Sequence, residues 1–262
     1  MSALFSVNDK TALVTGGTSG IGFMIAQGLV KAGVKVYVAS RKQQACDDTQ
    51  QALSALGQCT AIVADLSTEA GCDALVCELE KTEDSLDILI NNAGLTWGAP
   101  LEEYPDQAWD KINNLNVKAA FTMTKKLLPL LEKSATPADP ARVINITSVA
   151  GKLTSSMQAY AYGPSKAALN HLTQILANEL AAKQITVNAI APGVFPSKMT
   201  KFVLDNEAVA KQQADAVPLG RLGEQADMEG LVIFLCSPAG SYVTGNIISL
   251  DGGTSVKPAP FI

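Results

Sequence analysis

Histidine occurs once in 262 residues, at His171, and the five cysteines (46, 59, 72, 77 and 236) include no Cys-x-x-Cys pair. A metal centre of imidazoles or thiolates has almost no donors to draw on, and the odd, scattered cysteines read as free thiols of a reducing compartment. Charged residues are 17% of the chain and aromatics 5%, against 47% hydrophobic, which leaves no room for a disordered chain. There is no basic run: 20 Lys+Arg stand against 25 Asp+Glu, net −5, and nucleic acid is excluded as the expected partner. No apolar stretch approaches the ~18 residues of a membrane span, and the N-terminus MSALFSVNDKTALVTGG lacks a basic segment leading into an apolar one. The expectation is a cytoplasmic protein without metal or membrane contact.

What the chain does have is a rhythm. Short apolar runs recur at 11–14, 35–39, 60–64, 87–90, 142–146, 186–190 and 246–250, with helical patterns between them. ALVT, VYVA, AIVA, ILI, VINI and VNAI are apolar throughout instead of alternating, as strands covered on both faces are, so a parallel sheet with βαβ crossovers is predicted. Helix punctuation agrees, with Ser67 or Thr68 ahead of Glu69, and Gly33 or Gly57 closing helices before a strand. The Pro-rich loop SATPADPA at 134–141 is too short to divide domains. One α/β domain over 1–262 is predicted, a doubly wound sheet of seven mainly parallel strands flanked by helices.

The first strand runs into Thr15-Gly16-Gly17-Thr18-Ser19-Gly20-Ile21-Gly22, and the helical pattern IGFMIAQGLVKAG follows at once. Glycines let the backbone turn sharply and approach a pyrophosphate, while the free N–H groups of the new helix hold its charge. Alone such a loop could be a tight turn; between a strand and a helix it points to a dinucleotide. The spacing is similar to the Thr-Gly-x-x-x-Gly-x-Gly signature of the short-chain dehydrogenase/reductase family. Further motifs follow in family order: Asp65 in ADLS, Asn91-Asn92-Ala93-Gly94, Asn116 in LNV, Ser148 in ITS, Tyr162 to Lys166, Pro192-Gly193 and Asp251-Gly252-Gly253.

The resemblance implies a Rossmann-type oxidoreductase. Its nicotinamide cofactor would touch Gly16, Thr18, Ser19, Gly20, Ile21 and Gly22 of the loop, then Asp65, Leu66, Asn92, Ala93 and Gly94. Tyr162, Lys166, Pro192, Gly193, Phe195 and Ser197 would complete the set, with Ser197 standing where the family usually has Thr. The second strand ends VYVASRK, and in place of the carboxylate that would hold an NAD ribose, Ser40, Arg41 and Lys42 offer a hydroxyl and two cations. Arginine pairs with a 2′-phosphate, so NADPH/NADP+ is the expected cofactor. Many NADP-using relatives carry a basic residue just before the second loop glycine; Ser19 is there instead, and the preference rests mainly on Arg41.

Hydride transfer to a carbonyl leaves an alkoxide that needs a proton, hence a placed general acid. A phenol titrates near ~10, and bringing it to about 7 takes about 4 kcal/mol. An ammonium about 4 Å away at an effective dielectric near 20 supplies roughly that. Lys166 lies four residues after Tyr162, one helical turn on. The family mechanism gives Lys166 this role and a grip on the nicotinamide ribose. It gives Ser148 a hydrogen bond to the substrate carbonyl and Asn116 a water on the proton path. Tyr162 follows Ser148 by 14 residues, one more than is usual in the family. Pro164 sits in the first turn of a helix predicted to begin near Tyr160, where its missing N–H costs nothing. Tyr160 is read as a neighbour able to line the pocket, and His171 as a packing or surface residue.

Residues 198–217, with Met199, Phe202, Val203 and Leu204 on one side, look like a substrate lid spanning about 195–217. Trp97, Leu153, Met157 and Phe195 are candidate apolar walls, and no cation is aimed at a substrate carboxylate, so a longer apolar ketone fits best. ARVINITSVAG, AYAYGPSKAAL and APGVFPSKMT resemble 3-oxoacyl-[acyl-carrier-protein] reductases, in the branch linked to rhamnolipid synthesis. The first reading is thus reduction of a 3-oxoacyl thioester, small or carrier-bound. The alternatives are a ketone, polyol or sugar dehydrogenase of the same family and, from another class, a catalytically silent NADP sensor. The resemblance also implies a homotetramer, or a homodimer, packed through helices at 107–133 and 161–182 and through the last strand.

Overall fold

The computed structural model describes residues 3–154, 158–196 and 206–257. Strands β1 (Thr11–Thr15), β2 (Lys35–Ser40), β3 (Cys59–Val63), β4 (Ile88–Asn91), β5 (Ala141–Ile146), β6 (Ile185–Pro192) and β7 (Ile247–Leu250) form one sheet in the order β3-β2-β1-β4-β5-β6-β7. Every adjacent pair is parallel. The connections are α1 (Gly20–Lys31), α2 (Gln43–Ser54), α3 (Glu69–Glu80), α4 (Asp106–Asn113), α5 (Ala119–Ser134), α6 (Tyr162–Leu180), α7 (Glu207–Ala216) and α8 (Gln225–Cys236).

The unbroken apolar runs follow from coverage on both faces. Successive side chains of a strand point to opposite sides. Leu13, Leu89, Val143 and Val187 join Leu79, Leu127 and Leu176 in one core layer. Ala12, Val14, Ile90 and Ile144 join Ile25, Leu29, Met228 and Val232 in the other. The helices end as their sequences ask. Of the two candidate caps ahead of Glu69, Thr68 is the one used, its hydroxyl accepting from the Gly71 N–H at 3.1 Å. Gly33 takes the left-handed conformation, φ +87, between α1 and β2.

Two boundaries differ from expectation. The helix expected at 107–133 is broken by a π-turn at Asn114–Lys118, which carries Asn116. The catalytic-motif helix begins at Tyr162, two residues later than predicted, because Ala159 to Ala161 form a turn in which the Tyr162 N–H donates to the Ala159 carbonyl at 3.0 Å. Pro164 still falls in the first turn. Of the segment expected as a lid helix, residues 197–205 lie outside the described residues, and the described part is α7, capped by Asn206.

Candidate active site

β1 and β4 are neighbours whose chains continue into opposite halves of the sheet, so their C-terminal ends open a crevice. Thr15 knits its floor. Its hydroxyl donates to the Ile90 carbonyl (3.2 Å) and accepts from the N–H groups of Asn92 (2.9 Å) and Ala93 (3.0 Å). The Asn92 amide donates to the carbonyls of Thr15 (2.9 Å) and Gly16 (3.1 Å), fastening the turn after β4 to the glycine loop. Gly16 has φ +65, and a Cβ there would stand 2.9 Å from the Asn92 amide nitrogen. A Cβ on Gly22 would overlap the Gly16 carbonyl. Ser19 precedes α1 without a side-chain capping bond, leaving the first-turn N–H groups to serve an anion.

The crevice has a volume of about 330 Å³. Gly16, Thr18, Ser19, Gly20 and Ile21 line one stretch; Ser40, Arg41 and Leu66 another; Asn92, Ala93, Gly94, Tyr162 and Lys166 the rest. Ala39, Ala64, Leu115, Ile146 and Thr147 also face it, small or apolar residues that carry no sequence signal beyond adjacency to a strand end. Gly22 and Asn116 lie behind the wall. Asp65 is beside it, its carboxylate accepting from the Ser67 N–H (3.0 Å) and hydroxyl (2.8 Å). Burial pushes the Asp65 pKa up, but those bonds and the nearby Arg41 charge outweigh it and hold the group below its ordinary value. Pro192 ends β6, and Gly193 packs on Asp251, off the main cleft. Phe195 is buried against Gly223 at a smaller cavity of about 90 Å³. Ser197 and Met157 lie outside the described residues, and Trp97 and Leu153 are exposed.

At the chemical end, the Lys166 ammonium stands 5.8 Å from the centroid of the Tyr162 ring and donates to the Ile146 carbonyl at 2.8 Å. Ser148 heads the short turn Val149–Gly151, its hydroxyl accepting from the Ala150 N–H at 3.1 Å, and it lies near enough to the Tyr162 phenol to favour the ionised form of that group. That turn lies on α6, since a Cβ on Gly151 would come 2.8 Å from the Ala167 nitrogen. The extra residue between Ser148 and Tyr162 therefore still leaves the serine beside the phenol. Asn116 accepts from the Leu95 N–H (2.8 Å) and donates to the Leu95 carbonyl (3.0 Å) and the Ser165 hydroxyl (3.0 Å). Ser165 in turn donates to the Tyr162 carbonyl at 2.7 Å.

The electrostatics correct one expectation. A lysine charge was to pull the phenol toward neutrality, but here burial dominates both groups. It raises the Tyr162 pKa, offset in part by Ser148, and lowers Lys166 to about 8. Tyr160, placed outside the helix, packs edge-on against Tyr104 with centroids 5.2 Å apart, and it is not part of the crevice lining. Among the described residues no cluster of three or more His, Cys, Asp or Glu could hold a metal ion, and no helix is long and apolar enough to cross a membrane.

A glycine loop opening a helix and a tyrosine–lysine pair, in one crevice of a doubly wound sheet, are features of a class of dinucleotide-dependent oxidoreductases. A family model described as enoyl-(acyl carrier protein) reductase matches residues 16–255. The chain is 51% identical to the rhamnolipids biosynthesis 3-oxoacyl-[acyl-carrier-protein] reductase of Pseudomonas aeruginosa, over 97% of this chain and 99% of that one. A tropinone reductase homolog of Arabidopsis thaliana is 37% identical over 97% of this chain and 95% of its own. Among solved structures, the Pseudomonas aeruginosa RhlG/NADP active-site complex superposes with a TM-score of 0.95 at 50% identity, covering 98% of this chain and 100% of that one. The chain belongs to the short-chain dehydrogenase/reductase family.

Proposed function

We propose that the protein is an NADPH-dependent reductase that converts the ketone of a 3-oxoacyl thioester to a secondary alcohol. The observation that carries this reading is the convergence of Ser148, Tyr162 and Lys166 at one end of the crevice whose other parts are the glycine loop and Arg41. The residues fit a dinucleotide phosphate: positions 16 and 22 have no room for a side chain, and the start of α1 has no side-chain cap. Arg41, with Ser40, would pair with a 2′-phosphate, as the end of β2 carries no carboxylate to repel it. Bound there, the cofactor supplies the hydride.

The chain's own groups do the rest. The Ser148 hydroxyl lies beside the Tyr162 phenol, so one carbonyl oxygen would accept from both. Tyr162, kept protonated by burial, gives its proton to the oxygen as charge develops on it. Lys166 stabilises the phenolate that remains and would hold the ribose. Lys166 would then give a proton to that phenolate; a Cβ on Gly94 would stand 3.1 Å from Asn116 Oδ1 and 3.4 Å from Lys166 Nζ, so its absence leaves a gap in which a water could return a proton from solvent to Lys166. Asn92, Ala93, Pro192, Gly193, Phe195 and Ser197 are assigned to the nicotinamide side, and residues 195–217 to a lid. The exposed Phe121 of α5, Ile175 of α6 and Tyr242 before β7 fit burial between subunits of a tetramer.

The 51% identity to a 3-oxoacyl-[acyl-carrier-protein] reductase supports the thioester. A simple ketone is the second reading, favoured by the tropinone reductase homolog. Steady-state NADPH oxidation with a 3-oxoacyl thioester and with simple ketones separates them, and Tyr162→Phe is expected to lower kcat about 10²- to 10⁴-fold, the usual worth of a general acid. Absent turnover of any thioester removes the first reading; an undiminished Tyr162→Phe removes the mechanism.

A further inference from the structure

The turn that precedes Tyr162 is held from outside its own helix. The Ala161 N–H, one residue before Tyr162 and at the helix end where no intrahelical partner exists, donates to the Tyr104 hydroxyl at 3.2 Å. Ala161 is fully buried and packs in a small cluster with Ala108 and Ile112 of α4. The Tyr104 ring meets Tyr160 edge-on at 5.2 Å and Trp109 at 6.4 Å. A few residues upstream the Ala99 N–H donates to the Gln158 carbonyl at 3.3 Å, and Gln158 holds a left-handed conformation, φ +50, that a non-glycine residue adopts only under constraint. The loop at 94–105 is thus strapped to the segment leading into α6 by two hydrogen bonds and one ring pair.

From this arrangement we infer that Tyr104 is a positioning residue for Tyr162, its hydroxyl and ring fixing residues 160 and 161 so that the Tyr162 phenol meets Ser148. Tyr104 acts through Tyr162 and touches neither substrate nor cofactor. The strap matters here because Tyr162 follows Ser148 by 14 residues, and the residues immediately before it form a turn outside α6. Ser165, itself held by Asn116, donates to the carbonyl of Tyr162, but neither bond reaches the residues before it. The inference rests on the proposed role of Tyr162.

The test is a double-mutant cycle of Tyr104→Phe and Tyr162→Phe on the full chain with NADPH and an accepted carbonyl substrate. Tyr104→Phe keeps the ring but leaves the buried Ala161 N–H without its acceptor, so melting is expected to fall by several degrees while the variant stays folded at the assay temperature. Its kcat is expected to fall about fivefold, the worth of one neutral hydrogen bond, with the KM for NADPH within about twofold. In the Tyr162→Phe background the same change is expected to do nothing more, because the group it positions is gone. A wild-type kcat for Tyr104→Phe, or a further fivefold loss in the double variant, overturns the inference. Undiminished activity of Tyr162→Phe alone identifies instead a failure of the underlying site assignment.

Discussion

Lys166 and Tyr162 leave water together, and the two respond in opposite directions because one is charged when protonated and the other when not. The lysine folds with a pKa of about 8, against an ordinary value of 10.5. It is therefore an ammonium below about pH 8 and loses its charge as pH rises through that point, while the tyrosine, pushed above its usual 10, stays an acid over the same interval. The proposed reduction would need both protons in place. Measured as kcat/KM for NADPH against pH, reduction is expected to be flat between about 6 and 7.5 and to fall up to tenfold per unit beyond about 8, the slope of a single titrating group. A profile level to pH 10 assigns the charge of Lys166 no part in the reaction. The pairing of Tyr162 with Lys166 was legible from a spacing of four residues, because helical geometry places such residues on one face. Their pKa directions were not, because burial is set by Ile146, Leu115 and other residues far away in sequence.

Between residue and molecule, the glycine loop and the turn after β4 behave as one element. Thr15 and Asn92 tie them with five hydrogen bonds, and the packing tolerates no side chain at Gly22. Gly22→Ala is expected to push Asn92 off the Gly16 carbonyl and to weaken NADPH binding about tenfold or more, read by titration of the cofactor's fluorescence. The overpacking is also expected to cost about 1–3 kcal/mol of stability. Cofactor affinity equal to wild type shows that the loop can move aside without penalty. Strands and the loop–helix junction were legible because strand burial and glycine spacing are local signals. The π-turn at Asn114–Lys118 and the delayed start of α6 were not, since each answers to a partner outside its own segment, Leu95 in the first case and Tyr104 in the second.

At the scale of the whole molecule the far end of the sheet is closed by a charge. Arg142 is the second residue of β5, in a run that reads as an apolar strand, and the sequence gives no sign that a guanidinium would be buried there. It is 1% exposed. Its Nε donates to the Leu235 carbonyl (3.0 Å) and its Nη2 to the Ser237 carbonyl and the Asp139 carboxylate (both 3.2 Å). Asp139 also pairs with Lys10, just ahead of β1. One side chain thus joins the centre of the sheet to the end of α8, satisfying carbonyls that the helix leaves without partners. Burial lowers the Arg142 pKa from 12.5, the Asp139 charge opposing, so the group remains a cation at any physiological pH. Arg142→Met keeps the volume and removes every donor, leaving the Leu235 and Ser237 carbonyls buried and unpaired. The expected loss is about 2–6 kcal/mol, about 1–3 for each buried carbonyl left unpaired, which for a chain of this size lowers the melting temperature by roughly 4–24 °C. Because the residue sits at the opposite end of β5 from Ser148, activity per folded molecule at low temperature is expected to stay near that of the wild type. A stable Arg142→Met with impaired turnover contradicts both halves of this account, since it would make the buried arginine a servant of the crevice and not of the fold.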